Sequence, residues 1–379
     1  MPVYLDNAAT TFPKPEAVYR AQDEVARRCG ANPGRGGYRL AQQAAQVVSQ
    51  AREQVANFFH IVDSRCLVFT ASATQSVNMA LFGLLQPGDR VVTTSMEHNA
   101  VARPLHHLQQ HGIEVVHVAA DPRGCINLAD IRQACQVPTR LVVVNHCSNV
   151  SGTVQPVEDI GRWCRAQGIL FMVDAAQSAG ILPLDVEEMG IDLLAAPGHK
   201  GLLGPQGTGV LYVHPELTLR PLIYGGTGTF SSQLEQPESL PESLESGTLN
   251  LAGLAGLAAG LDFIEQTGRE RILVHEQALL KQMWQGLSAL SGVTLYGPGP
   301  DSGRCAGALS LVIDGQDPSV TGFFLDQKFD IAVRVGLHCA PLAHRTLGSW
   351  PLGTVRVSPG FFNTEEDIEA FIAAIAALR

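Results

Sequence analysis

The sequence predicts a wound α/β fold in two units, a large domain with a mostly parallel sheet and a smaller α/β unit after it. Three observations predict it. Short β-branched apolar runs alternate with amphipathic stretches from about residue 65 to 215. The alternation stops in an acidic segment rich in Gly, Ser and Pro, and a second, shorter set of runs follows. At roughly 150 residues per domain, the 379 residues suit about two domains.

The first set of runs covers 66–70, 90–94, 114–118, 141–145, 170–173 and 209–213. Helical patterns at 75–85, 101–111, 128–135 and 157–167 fall between them. Runs of this apolarity read as strands buried on both faces of a parallel sheet. Ligands of such sheets sit beyond the carboxyl ends of the strands, so the residues just after each run are the ones to inspect. The segment 224–247, GGTGTFSSQLEQPESLPESLESG with its leading Tyr, is long for a loop with no structure of its own. Helices are expected at 251–267 and 269–291, strands near 293–296, 308–313, 331–333 and 354–358, and a last helix at 364–378. The large domain is expected at 15–250. The small one is expected at 251–379, joined by residues 1–14.

Hydrophobic residues make up 45% and charged residues 16%, which supports a large core and argues against disorder. The net charge of -10 argues against a nucleic-acid surface. No CxxC pair occurs among the 8 cysteines, so neither a disulfide framework nor a zinc or other metal site is read from their spacing. The start, MPVYLDNAATTFPKP, lacks the pattern of a signal peptide. The longest apolar stretch, 249–261, is shorter than the ~20 residues of a membrane span. A cytoplasmic protein with reduced thiols is expected.

Several strand ends carry chemistry. Asp174 closes the run FMVD, where a buried acid needs a cationic or hydrogen-bonding partner; the plainer reading is a helix cap. Lys200, in APGHKGLLGP, has apolar and Gly neighbours, a setting that lowers an amine's pKa and favours Schiff-base formation. No Ser or Thr follows it, so this is not a GxxxxGK[ST] phosphate loop. Ala71 to Gln75 opens a helix after a strand, either a phosphate cradle or a generic cap. His98, in EHNA, faces the same crevice by position. Cys339 lies beside His338 and five residues from Arg334, groups able to favour its thiolate; the plainer reading is a buried inert thiol. Together these supply the equipment of a pyridoxal phosphate (PLP) enzyme.

With LDNAATTFPKP, EHNA, GHKGLLGPQGTG, RVGLHCAPL and VRVSPGFFNTEED, nearly the whole chain resembles the class V aminotransferase-fold cysteine desulfurases. It is most similar to the Suf-type (group II) members, which include selenocysteine lyases. The resemblance implies PLP-dependent transferase fold type I with a seven-stranded-type sheet. It also implies a homodimer that acts on L-cysteine, passes sulfur to an acceptor protein and serves iron-sulfur cluster biogenesis. It implies that Lys200 holds the cofactor and shuttles the Cα proton, Asp174 pairs with the ring nitrogen, Gln177 with the ring hydroxyl, and His98 stacks on the ring and exchanges protons in catalysis. Ala73, Thr74 and His199 would contact the phosphate, and Thr248 the phosphate of the neighbouring subunit. Asn149 and Arg356 would bind the substrate carboxylate, Asn149 would also contact the cofactor, and Cys339 would attack the substrate sulfur. Pro197, Ala73 and Leu337 depart from the family pattern and mark a divergent branch. Alternatives are a selenocysteine lyase, a cysteine sulfinate desulfinase, and a sulfur-relay scaffold.

Overall fold

The computed structural model describes residues 2–34, 36–229 and 231–379. The chain opens with β1 (Val3–Tyr4), α1 (Glu16–Arg28) and α2 (Arg39–Phe58). The wound region follows: β2 (Leu67–Thr70), α3 (Ala73–Leu84), β3 (Arg90–Thr94), α4 (Asn99–Gln109), β4 (Glu114–Val118) and α5 (Leu128–Ala134). It continues with β5 (Leu141–Asn145), α6 (Val157–Gln167), β6 (Leu170–Asp174), β7 (Leu193–Pro197) and β8 (Gly209–Val213). Next come α7 (Leu251–Thr267), α8 (Arg269–Ser288), β9 (Val293–Tyr296), β10 (Leu309–Ile313) and α9 (Pro318–Phe329). The chain ends with β11 (Ile331–Ala332), β12 (Arg334–Gly336), α10 (Pro341–Leu347), β13 (Thr354–Val357) and α11 (Glu365–Leu378).

Seven strands form one sheet in the order β2-β8-β7-β6-β5-β3-β4. Neighbours from β4 to β7 pair in parallel, and β8 runs against both of its neighbours. All of LVVVN in β5 and LLAAP in β7 is buried, as a sheet covered on both faces requires. The expected strands and helices of this region appear at their expected places. β7 is additional, because LLAAP carries no β-branched residue to announce it. Helices α1, α2, α9 and α10 are additional as well.

The smaller unit holds an antiparallel sheet, β12-β13-β10-β9, with α8, α9 and α11 packed around it. The chain's first strand returns to this unit, where β1 pairs with β11. The expected strand at 331–333 therefore joins β1 rather than the four-stranded sheet, and β12 takes its place there. Helix α7, which follows residue 250, packs on the large sheet. Leu251, Leu254, Leu257, Leu261 and Ile264 of α7 are buried in the core that holds Val142, Val144 and Phe171 of the large sheet. Their spacing puts them on one face of the helix. No helix among the described residues is long and apolar enough to cross a membrane.

No helix or strand occurs between Val213 and Leu251 among the described residues; Phe230 lies outside them. The segment is tied down by side chains. The Gln236 amide nitrogen donates to Ser243 O at 3.2 Å and to Ser246 Oγ at 2.9 Å. Glu245 is clamped by Arg52, with Nη1 to Oε1 and Nη2 to Oε2 both at 2.8 Å. Glu245 Oε1 also accepts from Phe69 N of β2 at 2.6 Å. Removing one member of a buried, bidentate pair strands the other charge. Glu245→Ala should therefore lower the unfolding free energy by about 3–5 kcal/mol, read as a lower urea midpoint at unchanged slope.

Candidate active site

The carboxyl ends of β2, β3, β5, β6 and β7 converge on one cleft of about 540 Å³. Its walls include Thr74, His98, Asn149, Asp174, Gln177 and Lys200. At the β2 end, Ser72 caps α3 by accepting from Gln75 N at 3.2 Å. The Ala73 and Thr74 amides, in the first turn of α3, meet no acceptor among the described residues, and both residues line the cleft with Ser72. The turn packs so closely on β8 that a Cβ at Gly209 would come within 2.7 Å of the Ser72 carbonyl carbon.

Asp174 ends β6 at 3% exposure, and its Oδ1 accepts from Ala176 N at 2.9 Å. Burial raises its pKa, while the Ala176 N–H and Lys200 oppose the rise. Lys200 follows β7. Burial brings its amine down to about 8, with Arg356 adding to the effect and Asp174 opposing it. His98 is the N-cap of α4, and its Nδ1 accepts from Ala100 N at 3.0 Å, so a neutral ring carries its proton on Nε2. Burial, then Lys200, lowers its pKa to about 4. Gln177 donates to Ala8 O at 2.9 Å.

The N-terminal segment secures the Lys200 loop. Thr11 N, Thr10 Oγ1 and Lys14 Nζ donate to His199 O at 3.1, 3.1 and 2.6 Å. His199 lines the cleft, and its buried Nδ1 has no partner in the described structure. Asn145 Oδ1 and Asn149 Oδ1 are likewise buried without partners, and both residues line the cleft. Orphaned polar atoms are rare in folded proteins, and a group of them around one cavity is the signature of a polar ligand.

The structure brings eight of the expected residues to this cleft: Ala73, Thr74, His98, Asn149, Asp174, Gln177, His199 and Lys200. Three lie elsewhere. Arg356, at 1% exposure, is not a wall of the cleft; Nη2 binds Asp6 Oδ1 at 2.6 Å and Nη1 binds Asn149 O at 3.0 Å. Thr248 is exposed, and Asn32 Nδ2 donates to its hydroxyl at 3.3 Å. Cys339 sits on the β12–α10 loop of the smaller unit, the one exposed cysteine of the 8. Asn149 also contacts the Cys339 loop. One Nδ2 proton is donated to His338 O at 2.7 Å, which leaves its second N–H and the unpartnered Oδ1 for a ligand.

His338 and Cys339 have φ of 47° and 58°. Two consecutive non-glycine residues in the left-handed region cost roughly 1–2 kcal/mol each and need external anchors. Asn149 Nδ2 holds the first carbonyl, and Asn99 N, opening α4, holds the second at 2.7 Å. Arg334 Nη2 lies 3.7 Å from the Cys339 sulfur. His338 does not assist as a cation. It is 3% exposed, its Nε2 bonds Thr354 Oγ1 at 3.0 Å, and burial drives its pKa far down. Arg334 alone of that expected pair is charged beside the thiol. Cys147 lines the cleft but is buried, bonds the Ala306 carbonyl, and has its pKa pushed up by burial.

Asp6 and Glu97 are site residues that sequence reasoning misses. Glu97 is fully buried, bonded to Thr94 Oγ1 at 2.7 Å and Asn145 N at 3.1 Å, and burial lifts it to about 8. Both stand in the motifs that point to the site, LDNAATT and EHNA, but their partners are distant in sequence. Because Arg356 depresses the Lys200 pKa, Arg356→Leu should raise the amine's titration midpoint above about 8. The pH dependence of Lys200 reductive methylation in cofactor-free protein checks this.

A family model described as aminotransferase class-V matches residues 3–371. Over 374 residues the chain is 40% identical to a probable cysteine desulfurase of Methanothermobacter thermautotrophicus, covering 97% of this chain and 92% of that protein. An apo structure of a cysteine desulfurase from Thermococcus onnurineus NA1 matches with TM-score 0.93 and 35% identity, over 100% of this chain and 94% of that one. The cysteine desulfurase CsdA from Escherichia coli matches with TM-score 0.89 and 30% identity, over 99% and 94%.

Proposed function

The chain belongs to the aminotransferase class-V family, and we propose that it is a PLP-dependent cysteine desulfurase, converting L-cysteine to L-alanine with sulfur transfer to Cys339. The observation that carries the reading is a desolvated lysine in a polar-lined cleft, with one exposed thiol on a loop bonded to the cleft's rim.

The residues present fit PLP. Lys200 would hold it through its amine, Asp174 would face the ring nitrogen, Gln177 the ring hydroxyl, and His98 the ring face. The free Ala73 and Thr74 amides, with the unpartnered His199 Nδ1, would take the phosphate at the start of α3, where the helix dipole favours an anion. Pro197 offers no hydroxyl there, so the backbone carries more of that contact. When bound, the group supplies an aldehyde for the substrate amine and a ring that withdraws electrons from Cα.

The protein's own groups do the rest. Lys200, largely neutral above pH 8, takes the Cα proton and returns one. Arg356 binds the substrate carboxylate by sharing or releasing Asp6. The Cys339 thiolate forms the new S–S bond as the Cβ–S bond breaks. The electron pair stays with the three-carbon fragment, whose Cβ takes the proton that left the substrate thiol. The substrate carbon is reduced, and the enzyme thiol is oxidised to a persulfide. The exposure of Cys339 suits onward transfer to an acceptor protein.

A homodimer fits the surface. Leu222, Ile223, Tyr224 and Leu234 are exposed on the segment that leads to Thr248. A second copy would cover them and bring Thr248 to its phosphate. A lyase acting on selenocysteine or sulfinate would not need Cys339, so one substitution separates the readings. Cys339→Ala should keep the cofactor's visible absorbance while alanine formation from L-cysteine falls on the order of 10³-fold or more, as when a nucleophile is removed. Assay of alanine with mass mapping of the persulfide checks it, and undiminished turnover overturns the assignment.

A further inference from the structure

Beneath the Cys339 loop runs a directed chain of buried hydrogen bonds. Ser310 Oγ donates to Val150 O at 2.7 Å. Its single proton is thereby used, so it accepts from Thr354 Oγ1 at 2.9 Å. Thr354 in turn accepts from His338 Nε2 at 3.0 Å. One tautomer of His338 satisfies this order, with the proton on Nε2 and a bare, unpartnered Nδ1. Ser310 and Thr354 are 0% exposed, so these links lie out of contact with bulk solvent.

The chain ends where the loop's other anchors begin. Val150 follows Asn149, whose side chain holds the His338 carbonyl and whose own carbonyl is held by Arg356. The 149–150 turn of the large domain and the 338–339 turn of the small one are thus joined through both backbone and ring. Gly336 pairs with Thr354 across β12 and β13, so the ring is drawn toward the strand that neighbours its own.

We propose that the His338–Thr354–Ser310 chain is the positioning device of the sulfur-accepting thiol. It pins the His338 ring inward, which holds the left-handed pair of turns and displays Cys339 outward beside Arg334. The thiol is then presented before substrate arrives, and little loop ordering remains for the reactive encounter. This rests on the reading of Cys339 as nucleophile.

Thr354→Val removes the middle hydroxyl at near-equal volume, and Thr354→Ser restores it. The PLP-loaded proteins are compared for alanine formation and for the rate of Cys339 alkylation by iodoacetamide, mapped by mass spectrometry. In Thr354→Val, kcat should fall about 10- to 100-fold with the cysteine KM and cofactor absorbance near native, the scale of an ångström-size misplacement. The Cys339 alkylation rate should depart from native in the same variant, and Thr354→Ser should recover both. Native-like kcat and alkylation in Thr354→Val overturn the proposal. So does a loss shared equally by Val and Ser variants in step with Tm. If Thr354→Val does not fold, Ser310→Ala breaks the next link and is judged by the same two readouts. Cys339→Ala run alongside keeps the failures apart: its turnover tests the nucleophile, while alkylation of the Thr354 variants needs no turnover.

Discussion

Arg356 cannot be buried alone. A guanidinium at 1% exposure has to replace its water with bonds, and it does so with Asp6 from the chain's start and the Asn149 carbonyl from the large domain. Three segments far apart in sequence therefore meet at one charge. The β1 strand is drawn to the small unit, and Asp6 bridges to Ser358. The 146–154 segment is held between the domains, where Thr153 pairs with Cys305. The same cation lies near enough to depress the Lys200 amine, so the bond that closes the fold also tunes the site.

Much of the fold is legible in the sequence because a sheet covered on both faces leaves continuous β-branched runs, as in RVVTT of β3 and LVVVN of β5. Where that signal is missing, legibility fails. LLAAP of β7 is buried by its neighbours rather than by its own propensity, and β12 is a three-residue strand that only its partner β13 defines. The cleft is legible through the rule that ligands sit at strand ends, which singles out His98 and Asp174 by their places at the ends of apolar runs, while Lys200 stands out by its apolar and Gly neighbours. The pairings are not. Asp6 and Arg356 stand 350 residues apart, and Glu97 meets Asn145 across 48. His338 reads as a cation beside Cys339 only because adjacency along the chain says nothing of which way a ring turns. Nor can spacing show that Asn149 bonds the loop.

Burial sorts the thiols by chemistry. Cys147, Cys164 and Cys305 lie within the protein, where desolvation raises the pKa and leaves them in the neutral form. Their bulk serves packing. Cys339 differs by location alone, on a loop whose strained backbone is held from several sides, so the distinction among identical residues is made by the fold around them.

The Glu245 clamp has a geometric consequence. It nails the chain to β2, the strand that ends in the Ser72 turn, only three residues before Thr248. Three residues of extended chain reach at most about 10 Å. Thr248 is thus on a short tether with a fixed post, and the Arg52–Glu245 pair acts as a ruler. It limits how far apart two copies can sit if the threonine of one is to touch the cleft of the other.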